Sequence, residues 1–249
     1  GYRYHIVASA YGPSAVSPLA DRTLRYRQRG LVRDSFGEAV LAKTALSPVS
    51  WHLLGRRVRD QAALCLFQLD TLSEAADGDG PCFVYAHLLC PHRPFLFRRD
   101  GSLNPPAIAI GREVIPMDEY RRLYTEQVRF LNGKILDGID AILAARGPDT
   151  VILIHGDHGP LSLGFRRAKN LSELTGEQLR ERLGILYAFR APPAVRQRLH
   201  DASTPINSFR FLFSDLFGDD LPPLPDRTFF TFPPDRYTFH EIPAERLPR

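Results

Sequence analysis

The chain has 249 residues, 44% of them hydrophobic and 24% charged, which is the profile of an ordinary globular protein and excludes a disordered or collagen-like one. A chain of this length buries enough surface to fold without disulfide staples, and its apolar runs fall well short of the roughly 18–20 residues a membrane helix requires. The formal net charge of +4 is spread along the chain with no basic run interleaved with aromatics, so nucleic acid is not an expected partner.

The single methionine is Met117 and the first residue is Gly1, while the opening segment is too polar to be a signal peptide. The expectation is a processed protein or an excised piece of a longer one. Of the 32 basic residues only Lys43, Lys134 and Lys169 are lysines; the arginines that make up the rest suit bidentate contacts to oxyanions. Cys65, Cys82 and Cys90 are odd in number and lack CxxC spacing, so they read as buried free thiols rather than a zinc site or a disulfide framework. Cys82 and Cys90 flank an apolar run and would pair only if that run bent back.

In chain order, Tyr4–Ala8 is a short buried strand and Tyr11–Pro18 a Gly/Pro/Ser loop. Phe36–Leu46 and Val58–Ala76 have helical spacing, separated by a break at Pro48–Trp51, and Asp77–Pro81 is a turn cluster. Cys82–Leu89 is a continuous apolar run, expected as a strand buried on both faces. Pro91–Pro116 is irregular. Tyr120, Leu123, Tyr124, Val128, Leu131, Ile135, Ile139 and Ile142 then predict a long amphipathic helix, N-capped by Asp118, stopped by Gly147-Pro148 and kinked at Asn132-Gly133. Thr150–Ile154 and Gly184–Phe189 read as further strands, and Ile206–Leu216 as a helix closed by Gly218. Thr228–Phe232 and Tyr237–Ile242 are strand-like pieces of a Pro-rich end. Strands alternating with helices, with no repeat and no linker, predict one α/β domain with a mainly parallel sheet. Ligands bind beyond the carboxyl ends of such strands, which directs attention to the residues after Ala86 and after Ile154.

The later strand end reads His155-Gly156-Asp157-His158-Gly159. A carboxylate and an imidazole are a sound pair of ligands for a divalent cation, provided the backbone turns sharply, which the flanking glycines permit. The same spacing also fits a tight turn with a self-bonding Asp and a solvated His. His155 is expected as a satisfied core histidine. The earlier strand end reads Ala86-His87-Leu88-Leu89-Cys90-Pro91-His92-Arg93-Pro94-Phe95. Its prolines stiffen the backbone around His92 and Arg93, side chains that neutralise an anion or protonate a leaving group. An exposed Pro-rich loop gives the same pattern, and His87 shares the ambiguity of His155. Arg98-Arg99-Asp100-Gly101 is expected as a solvated turn. No G-x-S-x-G elbow, P-loop or dinucleotide fingerprint occurs, and nothing marks Ser14 as an activated hydroxyl.

The ordered set Phe83–His87, Pro91-His92-Arg93-Pro94-Phe95, long helix and Gly156-Asp157-His158-Gly159 resembles sulfatase-like hydrolase/transferase domains of the alkaline phosphatase superfamily. The likeness continues through Thr204–Arg210, Phe217-Gly218 and Leu224–Arg227, and includes Gly1-Tyr2 at the start. It implies an alkaline phosphatase-like three-layer α/β/α sandwich, N-terminally incomplete. It also implies metal-assisted hydrolysis or transfer at phosphate or sulfate esters, as in sulfatases, phosphoethanolamine transferases and lipoteichoic acid synthases. By motif match Asp157 and His158 are metal ligands for Zn, Mn, Mg or Ca, and His92 contacts the substrate anion or leaving oxygen; His87, Arg93 and His155 are further candidates. Implied partners are an anionic ester, lipid- or glycan-linked among the options, and a membrane reached through a segment outside this chain, with the domain on the extracytoplasmic or periplasmic face.

In that family an acidic ligand and the nucleophile precede the strand that here begins at Gly1. The resemblance therefore implies the C-terminal portion of a longer enzyme, with no nucleophile of its own and inactive alone. The alternative is a degenerate, non-catalytic domain serving as an extracytoplasmic binding or scaffold module. Arginines in the two pocket loops, Arg93, Arg98, Arg99, Arg112, Arg166, Arg167, Arg180 and Arg182, are further anion-binding candidates.

Overall fold

A computed structural model describes residues 1–27, 50–105, 115–165, 168–200, 203–232, 234–235 and 237–247. The helix expected over Phe36–Leu46, and Arg112, Arg166 and Arg167, lie outside the described residues. The chain forms two compact units, Gly1–Gly147 and Pro148–Arg249, divided at the Gly-Pro pair that ends the long helix.

In the first unit β1 (Arg3–Val7), β2 (Arg22–Leu24) and β3 (Cys82–Ala86) form a parallel sheet in the order β2-β1-β3. Alternation assigns the faces. His5, Val7, Val84 and Ala86 share one face: Val7 joins Leu24 and Ala75 in a core cluster that Phe67, Leu72, Val84 and Ala86 complete. His5 is buried there with Nδ1 2.6 Å from the Ala75 carbonyl. On the other face Tyr4 stacks on Phe83, centroids 5.4 Å apart, and Phe83 and Tyr85 remain 47% and 40% exposed. The run Cys82–Leu89 is thus not buried on both faces. Its apolar residues include large aromatics on the open side, which a count of apolar positions does not distinguish from core.

Helix α1 (Ser50–Asp70) and the short α2 (Leu72–Ala75) occupy the region expected to be helical over Val58–Ala76. The long helix α3 (Met117–Arg146) starts after Pro116 and closes on Gly147 at φ 82°. Asp118 is not its N-cap; it sits with Glu119 in the first turn, where negative charge complements the helix dipole. Helical backbone runs unbroken through Asn132-Gly133. Val58, Ala62, Cys65 and Leu69 of α1 pack with Leu131 of α3 and with Leu96 and Phe97 of the loop after β3. At the far end Arg146 donates to the carbonyls of Gly78 and Gly80 at 2.5 and 2.6 Å, tying α3 to the Asp77–Pro81 turn.

The buried row of α3 is Leu123, Gln127, Leu131, one residue per turn on one face. Gln127 is fully buried, and its Oε1 accepts the backbone N–H groups of Leu96 (2.6 Å) and Phe97 (3.2 Å). Its Nε2 donates to the Pro91 carbonyl at 3.1 Å. Asn104, also buried, donates from Nδ2 to the Phe95 carbonyl at 3.0 Å. The irregular stretch after β3 is therefore fastened from Pro91 to Asn104.

In the second unit β4 (Ile152–His155) pairs antiparallel with β5 (Tyr187–Arg190), and β6 (Thr228–Phe230) with β7 (His240–Ile242). A mainly parallel sheet is expected from the sequence, but among the described residues parallel pairing occurs only in β1–β3. The Thr150–Ile154 run, expected as a buried strand, gives β4, which is only half-buried and ends on an exposed His155. Helices α4 (Gly176–Leu183), α5 (Pro193–Arg196) and α6 (Ser208–Phe217) complete the unit. Phe165, Leu174, Leu179, Phe232 and Ile242 form its core. Helix α4 lies in a stretch expected as loop, although Thr175 and Gln178 form a reciprocal capping box that the sequence spells out. Gly218, at φ 72°, closes α6 as expected. The architecture is a mixed α/β fold containing a small parallel sheet.

Replacing Gln127 by Leu keeps the volume but strands two buried N–H groups and the Pro91 carbonyl. The expected loss is on the order of 2–4 kcal/mol, read by denaturant unfolding; a change below about 0.5 kcal/mol would show that the clasp does not hold the loop.

Candidate functional site

His87, His92 and Arg93 lie in the segment that leaves the carboxyl end of β3. His87 is half-buried with Nδ1 2.6 Å from Ser14 Oγ, and the Tyr11 ring meets it edge-on at 5.6 Å. Ser14 Oγ also lies 3.3 Å from the Tyr11 carbonyl. All three groups are satisfied when Ser14 donates to that carbonyl and accepts the Nδ1–H of His87. Gln68, buried on α1, donates to the carbonyls of Ala8 and His87, both at 3.0 Å, and so joins the ends of β1 and β3.

His92 is exposed, with Nδ1 2.6 Å from the Arg93 carbonyl. A carbonyl only accepts, so Nδ1 carries a proton and Nε2 is the ring nitrogen left without a protein partner among the described residues. The Cys90-Pro91 and Arg93-Pro94 peptide bonds are both cis. The Arg93 guanidinium lies 5.9 Å from the ring centres of both Phe95 and Tyr120, and this cation–π support leaves its N–H edges available for anionic oxygens. Arg98–Gly101 is the expected solvated turn: Asp100 accepts the Ser102 N–H at 2.9 Å, and the hydroxyl and amide of Ser102 hold its carboxyl below the usual range.

In the second unit Asp157 and His158 follow β4. The Asp157 side chain is 87% exposed, and its Oδ2 lies 3.4 Å from His158 Nε2. His158 Nδ1 lies 3.0 Å from the Gly159 carbonyl, so this ring too holds its proton on Nδ1 and turns Nε2 to the carboxylate. Two lone-pair atoms that face each other repel unless positive charge lies between them, either a proton on Nε2 or a cation. Two ligand atoms on a tetrahedral ion with bonds of about 2.0–2.1 Å are about 3.3–3.5 Å apart, so the observed separation fits a shared ion. Two donors fall short of the three or four protein ligands such an ion takes. Among the described residues no group of three or more His, Cys, Asp and Glu side chains comes together to hold a metal. His155 is exposed rather than a core histidine, with Nδ1 3.4 Å from the Gly156 carbonyl.

The glycines of this turn act differently from the sequence expectation. Neither Gly156 nor Gly159 has a positive φ. Gly159 is needed for close approach: a Cβ there would meet the Glu181 carbonyl oxygen of α4 at 1.8 Å. Its N–H donates to the Arg182 carbonyl at 2.8 Å, and Arg182 Nη1 returns a bond to the Gly159 carbonyl at 2.8 Å. Gly156 N–H donates to Leu186 O at 2.9 Å. Glu181 accepts the N–H groups of Ser162 and Leu163 at 2.9 and 3.0 Å and the Ser162 hydroxyl, fixing the chain just beyond the turn.

The segments Thr204–Arg210 and Leu224–Arg227 meet in a polar joint. Buried Asn207 donates to Leu224 O at 2.8 Å and accepts from Leu224 N at 2.9 Å, while Asp226 accepts the N–H and hydroxyl of Thr204 at 2.7 and 2.6 Å. These residues fasten α6 to the chain beyond it. In the sequence Ser14 is only a loop hydroxyl, and Gln68, Gln127 and Glu181 are not singled out. Only a Gln among the apolar positions of α3, at Gln127, left a trace of them.

No helix among the described residues is long and apolar enough to cross a membrane. No protein-family model, curated protein or solved structure matches the chain.

Gly159→Ala forces a methyl group into the backbone of α4. The expected loss is on the order of 3 kcal/mol, measured by chemical denaturation; wild-type stability would show that α4 does not press on the turn.

Proposed function

We propose that the chain is the C-terminal part of a metal-dependent hydrolase or transferase acting on phosphate or sulfate esters, with an alkaline phosphatase-like sandwich as its parent fold. The observation that supports this most is the Asp157–His158 pair: two accessible donor atoms at 3.4 Å, with the imidazole proton held on the far nitrogen. It joins the ordered set of motifs by which the sequence resembles that superfamily.

In this proposal Asp157 and His158 hold a divalent cation, Zn, Mn, Mg or Ca, and the remaining ligands and the nucleophile come from residues of the parent ahead of Gly1. When bound, such a cation supplies Lewis-acid polarisation of an ester oxygen and lowers the pKa of an attacking hydroxyl. His92 presents Nε2 to solvent from a fastened loop. Protonated there, it donates to the leaving oxygen or to the anion itself. Arg93, resting on two aromatic faces, offers paired N–H groups to the remaining oxygens. His87, its ring fixed by Ser14, orients polar groups at the same strand end, and His155 is a further polar group beside the Asp157 turn. The substrate is an anionic ester, lipid- or glycan-linked among the candidates, and the parent is anchored in a membrane with this portion on its extracytoplasmic side.

The test uses the full-length parent with aryl phosphate and aryl sulfate, with and without added metal. Asp157→Ala is expected to lower metal-dependent turnover at least about 100-fold, while the chain 1–249 alone turns over neither ester. Unchanged activity of the variant refutes the ligand assignment. Robust turnover by the isolated chain refutes the division of the site, and no turnover by the intact parent leaves the binding-scaffold alternative.

A further inference from the structure

The three cysteines are all free, but they are not equivalent. Cys82 begins β3, and its thiol donates to the Ala76 carbonyl at 3.6 Å. Cys65 lies on α1, 5% exposed, inside the cluster formed by Val58, Ala62, Leu69, Leu96, Phe97 and Leu131. Cys90, immediately before the loop that carries His92 and Arg93, packs against that same cluster, its thiol beside Cys65. The straight strand β3 separates Cys82 from Cys90, so the pairing considered from sequence is not the one the fold brings together.

We propose that Cys65 and Cys90 are a disulfide-forming pair whose closure cross-links helix α1 to the loop bearing His92 and Arg93. A disulfide needs its sulfurs at about 2.05 Å with Cα atoms about 4.4–6.8 Å apart. Two thiols that share one packed cluster approach that state by rotating about their own bonds.

The oxidant is a small-molecule disulfide such as glutathione disulfide. The thiolate of one cysteine attacks it, forming a mixed disulfide and releasing one glutathione thiolate, which takes up a proton. The second cysteine loses its proton, attacks the protein-bound sulfur, forms the Cys65–Cys90 bond and releases the second glutathione. The protein gives up two electrons and two protons, and one glutathione disulfide becomes two thiols. Only the thiolate attacks. Contact with Cys65 and burial push the Cys90 thiol well above its ordinary range. Closure therefore accompanies folding or local opening, and the closed native fold reacts slowly. The proposal is independent of the ester chemistry above.

The test refolds the full 249-residue chain in a glutathione redox buffer and, separately, in dithiothreitol. Remaining thiols are blocked with iodoacetamide and the peptides are mapped without reduction. The expected result is a linked Cys65–Cys90 peptide with Cys82 alkylated, and a thermal midpoint about 5–15 °C above that of the reduced protein. The Cys82→Ser variant should keep both the link and the shift. Three alkylated cysteines in the redox buffer, or links that run through Cys82 or between chains, would overturn the pairing.

Discussion

Gln127 takes the backbone N–H groups of Leu96 and Phe97 and gives a hydrogen bond to the Pro91 carbonyl, all from a fully buried position on α3. The need for it follows from the sequence of the loop it holds. Proline supplies no N–H, so Pro91 and Pro94 deprive this stretch of donors for a ladder of its own. Phe95, Leu96 and Phe97 are driven into the core by their side chains, and their backbone groups go with them. Buried N–H and C=O groups must find partners. The carboxamide provides two acceptor sites and a donor, and Asn104 satisfies the carbonyl in between. On this base His92 and Arg93 stand exposed yet fixed, since the residues on either side of them are anchored.

The second unit meets the same requirement by other means. The Asp157–His158 turn is pressed against the last turn of α4, where only glycine fits at position 159. Arg182 and Glu181 of that helix then bond to Gly159 and to the chain just beyond it. In the first unit Ser14 and Gln68 fix His87 from the side chain and from the carbonyl. The pattern repeats at His87, His92 and His158: a neighbouring oxygen engages Nδ1, and Nε2 is the nitrogen left for chemistry. It arises from short local contacts and needs no bound ligand to set it up.

Much of the element order was legible because it rests on local signals. The three-to-four spacing from Tyr120 to Ile142 marks α3 and Gly147 ends it; Gly218 closes α6; the paired β6 and β7 fall inside the two aromatic runs. What failed depended on partners distant in the chain. Whether a run of apolar residues is covered on one face or two is decided by what packs there, and Phe83 and Tyr85 show the limit of the rule. Parallel and antiparallel strands have the same short apolar signature, so β4 and β5 could not be told from members of the main sheet. In the site, the histidines and Asp157 stood out by residue type. Their supports did not: Gln68, Gln127 and Glu181 act across 19 to 60 residues, and no short motif records such a span. In the sequence Gly159 reads as a flexible turn residue, whereas its constraint is the backbone of α4.

Cation binding by this pair rests on the His158 ring, with the proton on Nδ1 and Nε2 turned to Asp157. Long-range proton–nitrogen NMR on a histidine-labelled full-length parent reads this directly. With Zn²⁺ absent, the neutral ring should show the Nδ1–H tautomer. Adding Zn²⁺ should move the His158 Nε2 resonance strongly, and Asp157→Asn should weaken that response. An Nε2–H tautomer, or a spectrum indifferent to the metal, would contradict the assignment of Asp157 and His158 as a cation-binding pair.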